Sequence, residues 1–280
     1  MSDLIDVTGR LRKMPAEAGA PVAYTLAVGD NRIPLNDCLG KRVHIDFEGV
    51  IRCINCDRNT KKSFNQGFCY PCFRKLAACD SCIMSPEKCH YHLGTCREPE
   101  WGETHCMVEH VVYLANSSGL KVGITRGTQV PTRWIDQGAV DAIPMVRVSS
   151  RYIAGLVEVA CKSHVADRTN WRAMLKGDVP ELDLAHERER MLGLIADDLA
   201  ALRATHGEDS IREVAGETGQ ALSYPVAVWP EKIKTHNLDK TPSVEGVLEG
   251  IKGQYLILDT GVINIRKFTG YEVHFRVADD

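Results

Sequence analysis

No stretch of this 280-residue chain approaches the run of about 18 apolar residues that a membrane-spanning helix needs. The opening MSDLIDVTGRLRK also lacks a basic stretch followed by an apolar one. No export leader is expected, therefore, and the reading is a cytoplasmic protein with no membrane partner. An excess of charge is missing too: 34 Lys and Arg stand against 37 Asp and Glu, a net of −3. This excludes attraction of nucleic acid by the surface as a whole, so any such binding must come from a local basic patch. What remains is an ordinary globular composition, 44% hydrophobic and 25% charged, long enough for one large domain or two to three small ones. Eleven cysteines are an odd number, and in a reducing compartment they point to metal and not to disulfides.

The residues fall into zones. Nine cysteines crowd into positions 53 to 106. Residues 150 to 222 read as helical: YIAGLVEVACKSHV carries apolar residues at helical spacing, and LAHERERMLGLIADDLAALRATHG ends at a glycine stop. Both chain ends read as strands and resemble each other. VTGRL at 7 to 11 matches VEGVL at 244 to 248, and GKRVHIDF at 40 to 47 matches GYEVHFRV at 270 to 277. Between them, YTLAVGDNRIPL parallels YLILDTGVINI. A repeat of about 40 residues suggests two halves that pair into one small β barrel or sandwich, because a lone hairpin leaves an edge and an apolar face bare.

The segment CINCDRNTKKSFNQGFCYPC places Cys53 and Cys56, then Cys69 and Cys72, in two C-x-x-C knuckles. Each knuckle turns two thiolates toward one ion, and the loop between them brings the pairs into a tetrahedron. Four sulfur ligands leave no open position, so this zinc is expected to be structural. A second cluster follows, with Cys79, Cys82, Cys89, His90, His92, Cys96, His105 and Cys106. Cys79, Cys82, Cys89 and Cys96 form one candidate site, Cys106 competes for its last place, and cross-bracing of Cys53 and Cys56 with Cys79 and Cys82 stays open. The expectation is about two Zn²⁺ ions. Cys38 and Cys161 stand alone and read as core residues. Between 51 and 78, Arg52, Arg58, Lys61, Lys62, Arg74 and Lys75 face only Asp57, with Phe64, Phe68, Tyr70 and Phe73 interleaved. Cations neutralise phosphates and aromatic faces stack on bases, so Arg58, Lys61, Lys62, Arg74 and Lys75 are candidate nucleic-acid contacts. The plainer reading is a solvated module surface with the aromatics as its small core.

A hairpin follows, HVVYLANSSGLKVGITRGTQVPTRWI, residues 110 to 135. With VVY at 111 to 113, KVG at 121 to 123, Arg133, Glu158 on an apolar helical face and Asn170 beyond it, residues 110 to 175 resemble the GIY-YIG nuclease superfamily. That family has two short strands each bearing a motif, a helix starting with arginine, and a later helix with one metal-binding glutamate. The resemblance implies catalytic roles for Tyr113, Lys121, Arg133, Glu158 and Asn170, with Mg²⁺ or Mn²⁺ at Glu158 and hydrolysis of a phosphodiester. Lys121 stands where the second tyrosine is expected, and Gln137 where a histidine is expected. The wider chain, with SPEKCHYHLGTCREPEWGE and DRTNWRAMLKG, also looks like an uncharacterised bacterial family of unknown function. In a plainer reading Tyr113 is a strand aromatic, Arg133 a helix-start residue and DRTNWR a helix cap.

Taken together the expectation is an α+β protein. It has a β segment over 1–50 pairing with another over 226–280, a zinc module over 51–108, a GIY-YIG-like α/β domain over 109–178 and a helical segment over 179–225. The expected function is nucleic-acid binding, DNA or RNA, with metal-dependent endonuclease activity. The alternative is an inactive zinc-containing adaptor for RNA, DNA or a protein partner.

Overall fold

The computed structural model describes residues 5–165, 170–214 and 216–278. Asp167, Arg168 and Thr169 of the DRTNWR segment, and the extreme ends of the two terminal segments, lie outside the described residues.

Both ends of the chain build the same unit. In the first half it is the strand Ile5–Arg10, the hairpin Ala23–Val28 and Asn31–Pro34, a 3-10 turn Leu35–Cys38 and the strand Arg42–Arg52. In the second it is Ser243–Lys252, the hairpin Tyr255–Leu258 and Gly261–Asn264, the turn Ile265–Phe268 and the strand Tyr271–Ala278. The long last strands pair with each other, Val43 opposite Val277, Ile45 opposite Phe275 and Phe47 opposite Val273, which is a local two-fold about the Ile45 and Phe275 pair. Each half then lends its first strand to the other: Val7 faces Phe275 as Val244 faces Ile45. The hairpins correct the alignment read from sequence. Leu26 pairs with Ile33 as Leu256 pairs with Ile263, so Thr25, and not Tyr24, is the structural counterpart of Tyr255.

The resulting sheet runs from Ile5–Arg10 through Tyr271–Ala278, Arg42–Arg52 and Ser243–Lys252 to the Tyr255–Leu258 and Gly261–Asn264 hairpin. It stays open at both ends and does not close into a barrel. The fold is a mixed α+β arrangement of antiparallel sheets. The first-half hairpin forms its own three-stranded sheet with Ala16–Glu17 instead of extending the large one. Gly9 allows the crossing: a side chain there would lie 2.8 Å from the Gly29 nitrogen, while Gly29 itself takes φ 55°.

A second antiparallel sheet has the order Ile211–Glu213, Asp141–Val148, His110–Asn116, Leu120–Arg126, with Gln220–Ala221 added to Asp141–Val148. The strand His110–Asn116 is buried along its whole length. Because side chains alternate across a strand, Val111, Tyr113 and Ala115 join the core of the terminal β unit. Val112 and Leu114 face the other way, into a core made with the helices Arg151–Lys162, Leu184–Leu194 and Ala196–His206. One strand thus separates two cores.

The segment read as helical over 150–222 is only partly so. The long helical pattern breaks into two helices at Ile195, which is fully buried with φ −107° and ψ 15°. Ile211–Glu213 and Gln220–Ala221 are strands instead. No helix among the described residues is long and apolar enough to cross a membrane.

Candidate functional site

Cys53 follows directly on the strand Arg42–Arg52, and Cys69 precedes the short helix Tyr70–Lys75. Between Cys53 and Cys56 the chain turns tightly. The Asp57 N–H donates to the Cys53 carbonyl at 3.0 Å, and Asp57 itself takes φ 60°. The Sγ atoms of Cys53, Cys56, Cys69 and Cys72 all lie within 4.8 Å of one another, with Cys56 and Cys69 3.7 Å apart. A tetrahedral zinc with Zn–S bonds of about 2.3 Å requires sulfur pairs about 3.8 Å apart, so the donors fit that ion. Burial pushes the Cys53 thiol up, but backbone N–H groups of Cys56, Cys69 and Asn55 aimed at its sulfur outweigh this and bring it down to about 6. The Asn55 amide adds a donor to Cys72 Sγ at 3.4 Å. These four cysteines can hold a metal ion, and cross-bracing with the later cysteines is not what the chain forms.

The second cysteine cluster differs from the favoured reading. Cys82, Cys89, Cys96 and Cys106 line one small cavity with Asp80 and His90, and Cys79 is not part of its wall. Ligand atoms of Asp80, Cys82 and His90 also lie within 4.8 Å of one another. Asp80 already has partners, however: Arg97 Nε at 2.7 Å and the Ser81 N–H at 2.6 Å.

Arg58, Lys61, Lys62, Arg74 and Lys75 are all exposed. Among the described residues none of the five pairs with a carboxylate, since Asp57 is taken by Arg10 and Arg52. Beside them Phe64 packs on Phe73 with ring centroids 5.6 Å apart and on Tyr70 at 5.4 Å. Tyr70 keeps 51% of its surface exposed, and Lys62 Nζ lies 5.4 Å from the Phe64 ring centre. The aromatics therefore serve as the small core of the module and present one ring face outward.

The hairpin register sets Tyr113 opposite Gly123 and Ala115 opposite Lys121, so Tyr113 and Lys121 point to one side of the sheet. A side chain at Gly123 would lie 2.7 Å from the Tyr113 hydroxyl, which gives the glycine of KVG a steric reason. The hydroxyl donates to Gln137 Oε1 at 2.9 Å, one residue past the short helix Thr132–Asp136 that carries Arg133. Burial drives the Tyr113 hydroxyl up to about 12 against the lowering effect of Arg133, and Glu158 adds a small upward push. Burial likewise brings Lys121 down to about 8, helped by Arg133 and opposed by Glu158. Tyr113 and Lys121 are thus each within electrostatic reach of Arg133 and Glu158.

Two of these residues are shut away from solvent. Tyr113 is fully enclosed and Lys121 is buried, because their strand face belongs to the core shared with the terminal β unit. Glu158 is half-buried on the helix Arg151–Lys162, which Ser150 caps through the Ile153 N–H, and its carboxylate lies 3.5 Å from Lys162 Nζ. Burial raises its pKa, Lys162 and Arg151 work against this, and Glu87 adds to the rise. The apolar face of that helix is Ile153, Ala154, Val157 and Cys161, while Leu156 and Ala160 are only partly buried. No group of three or more His, Cys, Asp or Glu ligands forms around Glu158 among the described residues. Hydrated Mg²⁺ is held by one or two carboxylates together with substrate phosphates, so Glu158 fits Mg²⁺ or Mn²⁺ only alongside a bound phosphate. Asn170 is a helix cap: its side chain accepts from the Arg172 and Ala173 N–H groups. The contact between Tyr113 and Gln137 had no signal in the sequence beyond the four-residue spacing from Arg133.

A family model described as a protein of unknown function, DUF2797, matches residues 40–273. No curated protein and no solved structure matches, so the likeness to GIY-YIG nucleases rests on residues 110 to 175 alone. The matched span runs from the last strand of the first β unit through the cysteine module and hairpin to the last strand of the second, and the chain belongs to the DUF2797 family.

Proposed function

We propose that this protein binds nucleic acid through the four-cysteine module, with zinc as the module's structural support. The observation that carries this reading is the set of five exposed cations around the Phe64, Tyr70 and Phe73 rings that, among the described residues, have no carboxylate partner. Unpaired cations beside an exposed ring face suit a single strand, whose phosphates and bases they engage separately. The test is binding of labelled DNA and RNA oligonucleotides at several salt concentrations. Changing Lys61, Lys62 and Arg74 together to Ala should weaken binding and flatten the log–log salt slope by roughly 0.7 to 0.9 for each phosphate that is no longer neutralised. A wild-type protein with no affinity at low salt would shift the reading to an adaptor for a protein partner.

A second reading is supported by the electrostatic convergence of Tyr113, Lys121, Arg133 and Glu158. In it the hairpin is a GIY-YIG-like site that cleaves a phosphodiester. Mg²⁺ or Mn²⁺ bound with the substrate at Glu158 would polarise the phosphate. Arg133 would balance developing charge, and loss of its side chain would slow cleavage on the order of a hundredfold. Incubation with either ion and labelled oligonucleotide tests this: Glu158→Gln should end cleavage and leave binding intact. Intact oligonucleotide after incubation with the wild type would leave binding as the sole activity.

A further inference from the structure

The stretch from Ala77 to Cys106 has very little to hold it folded. It consists of the 3-10 turns Ala77–Cys79, Ser81–Ile83, Pro86–Lys88 and Tyr91–Leu93 and the seven-residue helix Pro99–His105, with no strand. Its large apolar residues Met84 and Leu93 are 81% and 66% exposed. A segment this short with so little core needs a staple. The staple cannot be a disulfide set, since all eleven cysteines are free.

We infer that Cys82, Cys89, Cys96 and Cys106 bind a second metal ion, a tetrahedral zinc that fastens this segment to the helix bearing Glu158. All four line a single cavity of about 20 Å³, room for one ion or one water and nothing larger. Gly102 keeps that wall thin, for a side chain there would press on the Tyr91 ring at 3.1 Å and approach Cys96 Sγ at 3.5 Å. Asp80 and His90 also reach the cavity, but both have other work. Asp80 holds Arg97 and caps the next turn. His90 Nδ1 bonds Thr95 Oγ1 at 2.8 Å, and its Nε2 is 3.4 Å from Asp80. Both orient the loop around the thiolates; the four sulfurs do not all lie within 4.8 Å of one another, as those of the first site do, so they would close on the ion by side-chain rotation.

Charge supports the same donor set. A zinc with four thiolates carries a net −2 and needs a nearby cation when it is buried. Arg151 supplies one from the first turn of its helix. Its backbone N–H donates to the Cys106 carbonyl at 2.7 Å, its Nη2 donates to the Ile83 carbonyl at 2.7 Å, and its Nε is buried without a partner. The ion would also act as a clasp. Cys82 and Cys89 bracket the turn Pro86–Lys88, which lies so close on the same helix that a side chain at Gly155 would come within 2.5 Å of the Glu87 nitrogen.

Zinc content of the purified full-length protein tests the assignment without reference to nucleic acid. Cys106→Ser should lose one zinc per chain, and Cys79→Ser and His90→Ala should lose none. Equal zinc in wild type and Cys106→Ser overturns the proposal, and so does a loss on Cys79→Ser or His90→Ala. Should Cys106→Ser fail to fold, alkylation of the wild type decides. Cys82, Cys89 and Cys96 are partly exposed, so they should resist iodoacetamide in the native protein and react once a chelator has removed the metal. Modification of these three before chelation would overturn the assignment.

Discussion

At the scale of single residues, the hairpin cluster shows how far a motif can be read and where burial takes over. Strand alternation lets Tyr113 and Lys121 share a sheet face for one hairpin register, and the pairing of Ala115 with Lys121 supplies that register. That this face is shut inside a core was not legible in the sequence, because the covering side chains come from the distant chain ends. Gly123→Ala should force the Tyr113 ring away, break its bond to Gln137 and cost about 1 to 3 kcal/mol, as overpacking does. Urea unfolding measures this, and an unchanged midpoint would show that the ring moves freely. His110 carries no motif or spacing that would single it out. Fully buried, it donates from Nδ1 to the Val108 carbonyl at 2.8 Å and leaves Nε2 without a partner. Burial pushes its pKa down to about 4, with Arg151 and Arg126 adding to the effect and the Val108 bond opposing it. The unfolded chain takes up this proton below about 6.5. The neutral imidazole's stability is therefore fully present above that pH and is lost as pH falls toward 4, up to about 3 kcal/mol. His110→Gln keeps a donor but does not titrate, so its stability should fall less steeply between those limits. Parallel curves for the two proteins would refute this.

At the scale of elements, periodicity located the helix Arg151–Lys162 and the β repeat, and failed where packing chose between close alternatives. The helix over 151–162 has its buried stripe at 153, 154, 157 and 161, the i, i+3, i+4 rhythm the sequence displays. The break at Ile195 has no proline or glycine at the kinked residue to announce it, and Met191, Ile195 and Leu199 stay buried in one core across it. The repeat was legible, its hairpin register was one residue out, and the addition of Ile211–Glu213 as an edge strand could not be seen without its partner. Two glycines in helices now separate propensity from packing. Alanine is favoured over glycine inside a helix by about 1 kcal/mol. Gly193 has nothing within 4 Å of where a side chain would begin, whereas at Gly155 the new atom would meet Glu87 and Pro86 at 2.5 to 2.6 Å. Gly193→Ala should therefore raise the melting temperature, and Gly155→Ala should lower it, by a few degrees each. Thermal unfolding followed by circular dichroism checks both, and a stabilising Gly155→Ala would mean that the Pro86–Lys88 turn is not seated on the helix.

At the scale of the whole molecule, the terminal β unit and the hairpin are mechanically one body. The core that receives Val43, Ile45, Val273 and Phe275 also receives Val111, Tyr113, Ala115 and Trp134. Polar contacts cross the same boundary. The buried side chain of Gln254 accepts from the Met14 N–H at 3.0 Å and donates to the Met14 carbonyl at 2.9 Å and to Asp136 Oδ1 at 3.0 Å, joining both chain ends to the Arg133 helix. Lys252, equally buried, donates to the Met174 carbonyl at 3.1 Å and lies over the Tyr224 and Trp229 rings. Deleting residues 243 to 280 would remove the long strands on both sides of Arg42–Arg52, leaving it only the two-residue strand Asn59–Thr60, and, among the described residues, the strand paired with Ile5–Arg10. It would also uncover the Tyr113 face of the central strand. The truncated protein should therefore aggregate through its bare edges, and the hairpin amides of residues 110 to 126 should lose their protection from hydrogen exchange even though every residue of the hairpin is still present. A soluble truncated chain with hairpin protection intact would show instead that the helical core on the other side of the strand, through Val112 and Leu114, is sufficient to hold the hairpin by itself.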